Sequence, residues 1–228
     1  MAVLERALTE PPLRALPADA AALLRELNAP PRLAAHLRAV HDVAVELVDW
    51  LAAHHPAAAF DRRAVLFGAA THDIGKTVHP EELSAPGSRH ERAGQKVLLD
   101  LGFEPRLARF AATHASWTAP GLELDDLIVS LADKVWKARR VADLEDLVVG
   151  SLAGASGREP WAVFLGLDEH LERLGSGADS RLAFQNDYST SAARRSGEAR
   201  SGAAVPCVAA RRELRSAWAA AEGGRSGG

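Results

Sequence analysis

A single cysteine, Cys207, stands among 228 residues, which excludes an internal disulfide framework and a cysteine-built zinc site. Tyrosine and methionine occur once each and aromatics make up 5% of the chain, so a core must come largely from aliphatic side chains. Runs of β-branched residues bounded by turns are scarce, and nothing asks for a sheet. Long apolar runs are missing too. The longest stretch free of Asp, Glu, Lys and Arg, Phe110 to Leu122, has thirteen residues, too few to span a bilayer. Met1 to Leu16 carries Glu5, Arg6, Glu10 and Arg14 among its apolar residues, unlike a secretory signal. The net charge is only −3, which speaks against a surface given over to nucleic acid. Lysine is scarce: of 27 basic residues only Lys76, Lys96, Lys134 and Lys137 are lysines. The expectation is a cytoplasmic protein with no membrane association.

The chain is 47% hydrophobic and 25% charged, ordinary globular values, and its length suits one domain with an appendage. Composition shifts near Gly175: the last 54 residues hold eight of the eighteen glycines, eight serines and eight arginines. That segment carries +3 and the remainder −6. The expected division is a domain over 1–174 and a disordered tail over 175–228. The amphipathic stretch Val208 to Ala221 is the tail's exception, and a basic arm for an acidic partner is its alternative role.

Residues 1–174 read as successive helices. Leu33, Val40, Val43, Ala44, Leu47 and Leu51 recur at helical spacing between Pro30-Pro31 and Pro56. Asp61 is the expected N-cap of a helix over Arg62 to Asp73, with Gly75 as its break. Further helices are expected over Ser88 to Leu101, Glu104 to Ala115, Leu122 to Lys137, Leu144 to Leu152 and Glu159 to Leu174. The fold class is all-α, helices around one core.

Nine histidines exceed what a helical scaffold needs, and their order carries the information. His41, His72-Asp73, His90, His114 and Asp133 each fall on a different expected helix. A helical core can aim these side chains at one point. Imidazole with carboxylate and no thiolate suits one or two divalent transition metals: Fe, Mn, Co, Ni or Zn. A His-Asp pair alone means little, since His41-Asp42 is a second one. The context His72-Asp73-Ile74-Gly75-Lys76 means more: adjacent helical residues lie about 100° apart and reach one ion from a helix end. Gly75 permits a tight turn, and Lys76 lies one turn beyond His72. His36 competes with His41 for the first place. The two share a helix but lie about 140° apart around it, so they face different ways. His36 heads an apolar row with Val40 and Leu47, His41 one with Val45 and Val48.

At these residues the sequence resembles the HD-domain metal-dependent phosphohydrolase superfamily, over roughly Leu33 to Arg140. Its pattern is a histidine, the His-Asp pair, often two further histidines, then an aspartate. His72-Asp73-Ile74-Gly75-Lys76 matches its HDIGK signature in full. The resemblance implies one metal on His41, His72, Asp73 and Asp133, and a second on His90, His114 and a bridging Asp73. The 31-residue gap to His72 favours His41 over His36. Lys76 to Leu83, with Pro80 and Glu82-Leu83, resembles the segment after HDIGK in HD-GYP cyclic-dinucleotide phosphodiesterases. The Thr113-His114-Ala115-Ser116-Trp117 run lacks that subgroup's His-His-Glu and Gly-Tyr-Pro. The spacing is closer to small stand-alone bacterial HD hydrolases.

The activity implied is hydrolysis of a phosphate ester or anhydride of a nucleotide or other small phosphorylated molecule. By that resemblance Asp73 and Lys76 would carry the catalytic roles: an ion held by Asp73 would lower the pKa of water, and Lys76 would clamp phosphate as a point charge. Lys134, Lys137 and Arg140, with Arg139, are candidates for further phosphate contacts. Their alternative is a solvated basic helix end. Trp117 and Trp136 either stack on a base or pack in the core. Three other functions stay open: a catalytically silent nucleotide sensor, an HD relative with hydratase or oxygenase chemistry, and a nucleic-acid binder acting through the tail.

Overall fold

The computed structural model describes residues 2–191, and among them helices are joined by turns with no strand. The long helix anticipated after Pro30-Pro31 is α3, Pro31–His54, preceded by α1, Ala2–Thr9, and α2, Ala18–Glu26. Pro31 at the first helical turn presets the backbone and withholds an N–H that would have no partner there. α3 is buried on several sides, through Leu33, Leu37, Val40, Val43, Leu47 and Leu51 and through Ala34, Ala35, Ala39 and Ala44. The alanines let neighbouring helices come close.

α4, Arg62–Thr71, starts where expected: Asp61 accepts hydrogen bonds from the backbone N–H groups of Arg63 and Ala64 at 2.9 and 3.1 Å. Two 3-10 turns follow, Ile74–Thr77 and Pro80–Leu83, and then α5, Arg89–Asp100, ending before Gly102. The segment expected as one helix, Glu104 to Ala115, forms α6, Pro105–Ala108, and α7, Phe110–Thr113. They meet at Arg109, whose backbone stays helical at φ −59 and ψ −35. α8, Leu124–Val135, opens with a reciprocal cap between Glu123 and Asp126. α9, Ala142–Ser156, and α10, Pro160–Gly175, complete the expected set.

α3, α4 and α8 pack on one another, α5 lies on the first 3-10 turn and on α7, and α9 and α10 pair outside α8. Among the charged side chains of this core, Arg38 has no exposed surface. It donates to the carbonyls of Ala7, Glu10, Leu13 and Arg14, tying the N-terminal segment to α3.

The expected boundary at Gly175 needs correcting. Ala178–Asn186 forms α11, which packs on α3. Arg181 donates to the carbonyls of Trp136 and Leu174, at the ends of α8 and α10, and the Tyr188 hydroxyl donates to Glu10 at 2.8 Å. Phe184 and Tyr188 join the apolar core. The glycine- and serine-rich composition, averaged over 54 residues, hid these few anchors. The remainder of the expected tail, including Val208 to Ala221, lies outside the described residues. No helix among the described residues is long and apolar enough to cross a membrane.

Candidate metal centre

His72 and Asp73 occupy the C-terminal end of α4, where the helix gives way to a 3-10 turn. His36 reaches them from α3, His90 from the first turn of α5, His114 from the end of α7 and Asp133 from the last turn of α8. All six are buried, none more than 9% exposed. Two donor groups can hold a metal ion, His36 with His72 and Asp133, and His72 with Asp73 and His114.

Asp73 organises the cluster, because its two oxygens face different partners. Oδ2 lies 3.2 Å from His36 Nε2 and 3.8 Å from His72 Nε2. Oδ1 lies 3.0 Å from His90 Nε2 and 3.5 Å from His114 Nε2. Asp133 Oδ1 is 3.4 Å from His72 Nε2 and 3.8 Å from His36 Nε2.

The imidazoles are turned so that Nε2 points inward. Nδ1 of His72 meets the Ala69 carbonyl at 3.0 Å, and Nδ1 of His114 meets the Ala111 carbonyl at 3.2 Å. Nδ1 of His90 meets Glu82 Oε2 at 2.6 Å. A carbonyl or carboxylate can only accept, so each Nδ1 carries a proton, which leaves Nε2 as the atom each ring can offer to an ion. His36 Nε2 and His72 Nε2 lie 3.3 Å apart, a separation at which two such nitrogens need a proton or cation between them. Asp73 Oδ1 and His90 Nε2 are buried, and although 3.0 Å apart they are not aligned as a hydrogen bond. Those unmet demands, with a nitrogen and oxygen donor set, fit a divalent ion.

The charges of four of these groups agree with that use. Burial pushes the pKa of His36 down, and that of His114 down to about 4, so both imidazoles are neutral at pH 7. Burial alone would raise the two carboxylates. Instead His72, His36, His90 and Lys76 hold Asp73 well below the usual range, and His72, Lys134 and His114 do the same for Asp133. Burial opposes a charge on His90, but Asp73 and Glu82 outweigh it and raise its pKa.

The candidates from the sequence fall into two groups. His72, Asp73, His90, His114 and Asp133 come together as anticipated, and Lys76 and Lys134 stand beside them. Lys76 Nζ contacts Asp73 Oδ2 and Lys134 Nζ contacts Asp133 Oδ2, each at 2.5 Å. His41 does not join them; His36 does. His36 reaches His72 at the end of α4 and Asp133 on α8, whereas the charges acting most on His41 are those of Asp42, Arg14, Arg38 and Arg62. Spacing along the chain could not register a rotation of about 140° on one helix. Arg140 is also corrected: it is held by Glu145 at 2.7 Å and Asp168 at 2.6 Å, pinning the start of α9 to α10. Lys137 is exposed and lies over the Trp136 ring, 5.7 Å from Nζ to centroid. Trp136 is buried, edge-on to His36 at 4.9 Å, and Trp117 donates to Asp143 Oδ2 at 2.9 Å while lying 5.5 Å from Lys134 Nζ. Glu82, noted in the sequence only as part of a resemblance, is the unanticipated partner of His90.

His41 carries its own prediction. Its Nδ1 is buried without a hydrogen-bond partner, and burial pushes its pKa from 6.5 down to about 4. Between those values the unfolded chain binds a proton that the folded chain refuses. Stability therefore falls as pH drops through this window, by about 1.4 kcal/mol per pH unit. His41→Leu is expected to flatten that decline. Urea unfolding of both proteins at pH 7 and pH 5 measures it, and an equal pH difference in the two would refute the account.

A family model for the HD domain matches residues 19–136, just over half of the chain and a span that includes all six clustered side chains. No curated protein matches the chain, and no solved structure does.

Proposed function

The chain belongs to the HD-domain family, and from that premise we propose that it is a metal-dependent phosphohydrolase acting on a nucleotide or another small phosphorylated molecule. The observation that carries the reading is the divided carboxylate of Asp73. His36, His72 and Asp133 would hold one ion with Oδ2, and His90 and His114 a second with Oδ1. A divalent ion held there supplies Lewis acidity, lowering the pKa of water and offsetting charge on phosphoryl oxygens.

The remaining work falls to the protein. Asp73 and Asp133 stay ionised across the neutral range, so they act as permanent anions and not as proton donors. Lys76 and Lys134 place two ammonium groups on the carboxylate oxygens, where they meet an arriving phosphate as point charges. Lys76 is the more accessible, with 18% of its side chain exposed against 10% for Lys134, and is assigned the phosphate clamp. The burial of these imidazoles and carboxylates limits water around the charges, which strengthens each interaction.

The test is metal analysis followed by phosphate release from a panel of nucleotides and small phosphate esters. Wild type, His36→Ala and His41→Ala are compared. His36→Ala is expected to lower metal affinity by at least the roughly 10- to 100-fold typical of lost supporting partners, and to lose turnover. His41→Ala is expected to keep its metal. Full metal content and turnover in His36→Ala would overturn the ligand assignment. Tight nucleotide binding by metal-loaded wild type without phosphate release would replace the hydrolase by a sensor. Turnover of a phosphate-free substrate alone would replace it by hydratase or oxygenase chemistry.

A further inference from the structure

We infer that Glu82 is a positioning residue of the centre, holding His90 with its Nε2 turned toward Asp73. The inference rests on the metal-centre reading above and adds a residue that touches no proposed ligand except His90.

The need for such a residue follows from where His90 sits. His72 and His114 lie at the ends of helical turns, and each gives its Nδ1 proton to the carbonyl three residues earlier. His90 is the second residue of α5, so the residue three positions before it, Gly87, precedes the helix. No helical carbonyl stands beneath the ring. Its Nδ1 proton must go elsewhere, or the ring is free to turn and to exchange tautomers.

Glu82 fills that place from the second 3-10 turn. Its Oε2 accepts from His90 Nδ1 at 2.6 Å and from the His90 backbone N–H at 3.1 Å. Its Oε1 accepts from the Arg89 backbone N–H at 3.2 Å and from Arg89 Nε at 3.3 Å. Two of these donors are orphan N–H groups of the first turn of α5, whose N-cap residue Ser88 makes no side-chain cap. One carboxylate thus fixes the ring and the helix start beneath it. The side chain of Glu82 is 3% exposed. Room for it depends on Gly87, where an added Cβ would lie 2.3 Å from Glu82 Oε1. Held this way, His90 has Nε2 as its ligand atom, 3.0 Å from Asp73 Oδ1, and a carboxylate behind an imidazole makes it a stronger donor.

A purely structural role, capping α5, makes a different forecast, and Co(II) titration followed by visible absorption separates the two. The full-length proteins are wild type, Glu82→Ala, Glu82→Gln, His90→Ala and the Glu82→Ala/His90→Ala double variant, each with a metal-free melting curve. Glu82→Ala is expected to weaken Co(II) binding by about 10- to 100-fold. Glu82→Gln, which keeps an oxygen for Nδ1–H, should recover part of the loss. The double variant should bind no more weakly than His90→Ala, because Glu82 acts through that ring. A lowered melting temperature in Glu82→Ala with unchanged Co(II) affinity overturns the inference and leaves a helix cap. A further loss when Glu82→Ala is added to His90→Ala overturns it too. Wild type that takes up no Co(II) overturns the metal reading itself, and the inference falls with it.

Discussion

Asp73→Ala is expected to remove both ions and all phosphatase turnover while leaving the helical fold in place. Asp73 faces both sets of histidines, one with each carboxylate oxygen. Its Oδ2 serves His36 and His72, its Oδ1 serves His90 and His114, and it is 2% exposed. No solvent anion can take its place without reopening the core. Truncation leaves Lys76, now in contact with Asp73 Oδ2, without its partner. Lys76 is half-buried and can turn to solvent, so the cost lies below the roughly 3–5 kcal/mol of breaking a fully buried ion pair. Stability should therefore fall along with function, and metal content with circular dichroism reports both on one sample. Glu82→Ala sets the contrast: it acts on the Oδ1 side alone, whereas Asp73→Ala acts on both. An Asp73→Ala protein that keeps its metal and its rate would overturn the proposed centre.

Gly75→Ala should have an effect nearly as large, for a reason the sequence reading missed. Gly75 was expected to let the chain turn. The left-handed glycines among the described residues, however, are Gly102, Gly121 and Gly157. Gly75 is needed for approach: a Cβ there would lie 1.9 Å from the His90 carbonyl oxygen and 2.5 Å from the Gly94 nitrogen. Both obstacles are backbone atoms, so relief requires α5 to retreat from the turn after Asp73. The retreat carries His90 away from Asp73 Oδ1, to which it now stands at 3.0 Å. Overpacking costs about 1–3 kcal/mol, and a backbone obstacle puts the expected loss at the upper end. The Oδ1-side ion should be lost as well. Gly94→Ala is the milder companion, with its nearest contacts at 3.0 and 3.1 Å. Urea midpoints with Co(II) stoichiometry give the comparison. Wild-type values in Gly75→Ala would show that the close approach is dispensable.

These variants also mark where sequence reasoning reached and where it stopped. Helices were legible because their signals are local. Pro30-Pro31 opens α3, Asp61 caps α4, and Gly102 follows α5 with a φ of 86°. His72, Asp73 and Lys76 were legible for the same reason, since one turn of backbone places them together. α11 was not, because its anchors Arg181, Phe184 and Tyr188 are few and the partners Trp136 and Glu10 are distant in the chain.

The sequence by itself determined a helical protein with histidine and aspartate, and no thiolate, available for a metal in its body. Tertiary structure decided which of two histidines on α3 joins the cluster. That choice depends on how α3 is rotated against α4 and α8, a property of packing that no spacing along one helix encodes. It likewise decided that Arg140 belongs to Glu145 and Asp168 and that Glu82 belongs to His90. A charged side chain has its strongest partner at a few ångströms, and only the folded chain says which residue stands there.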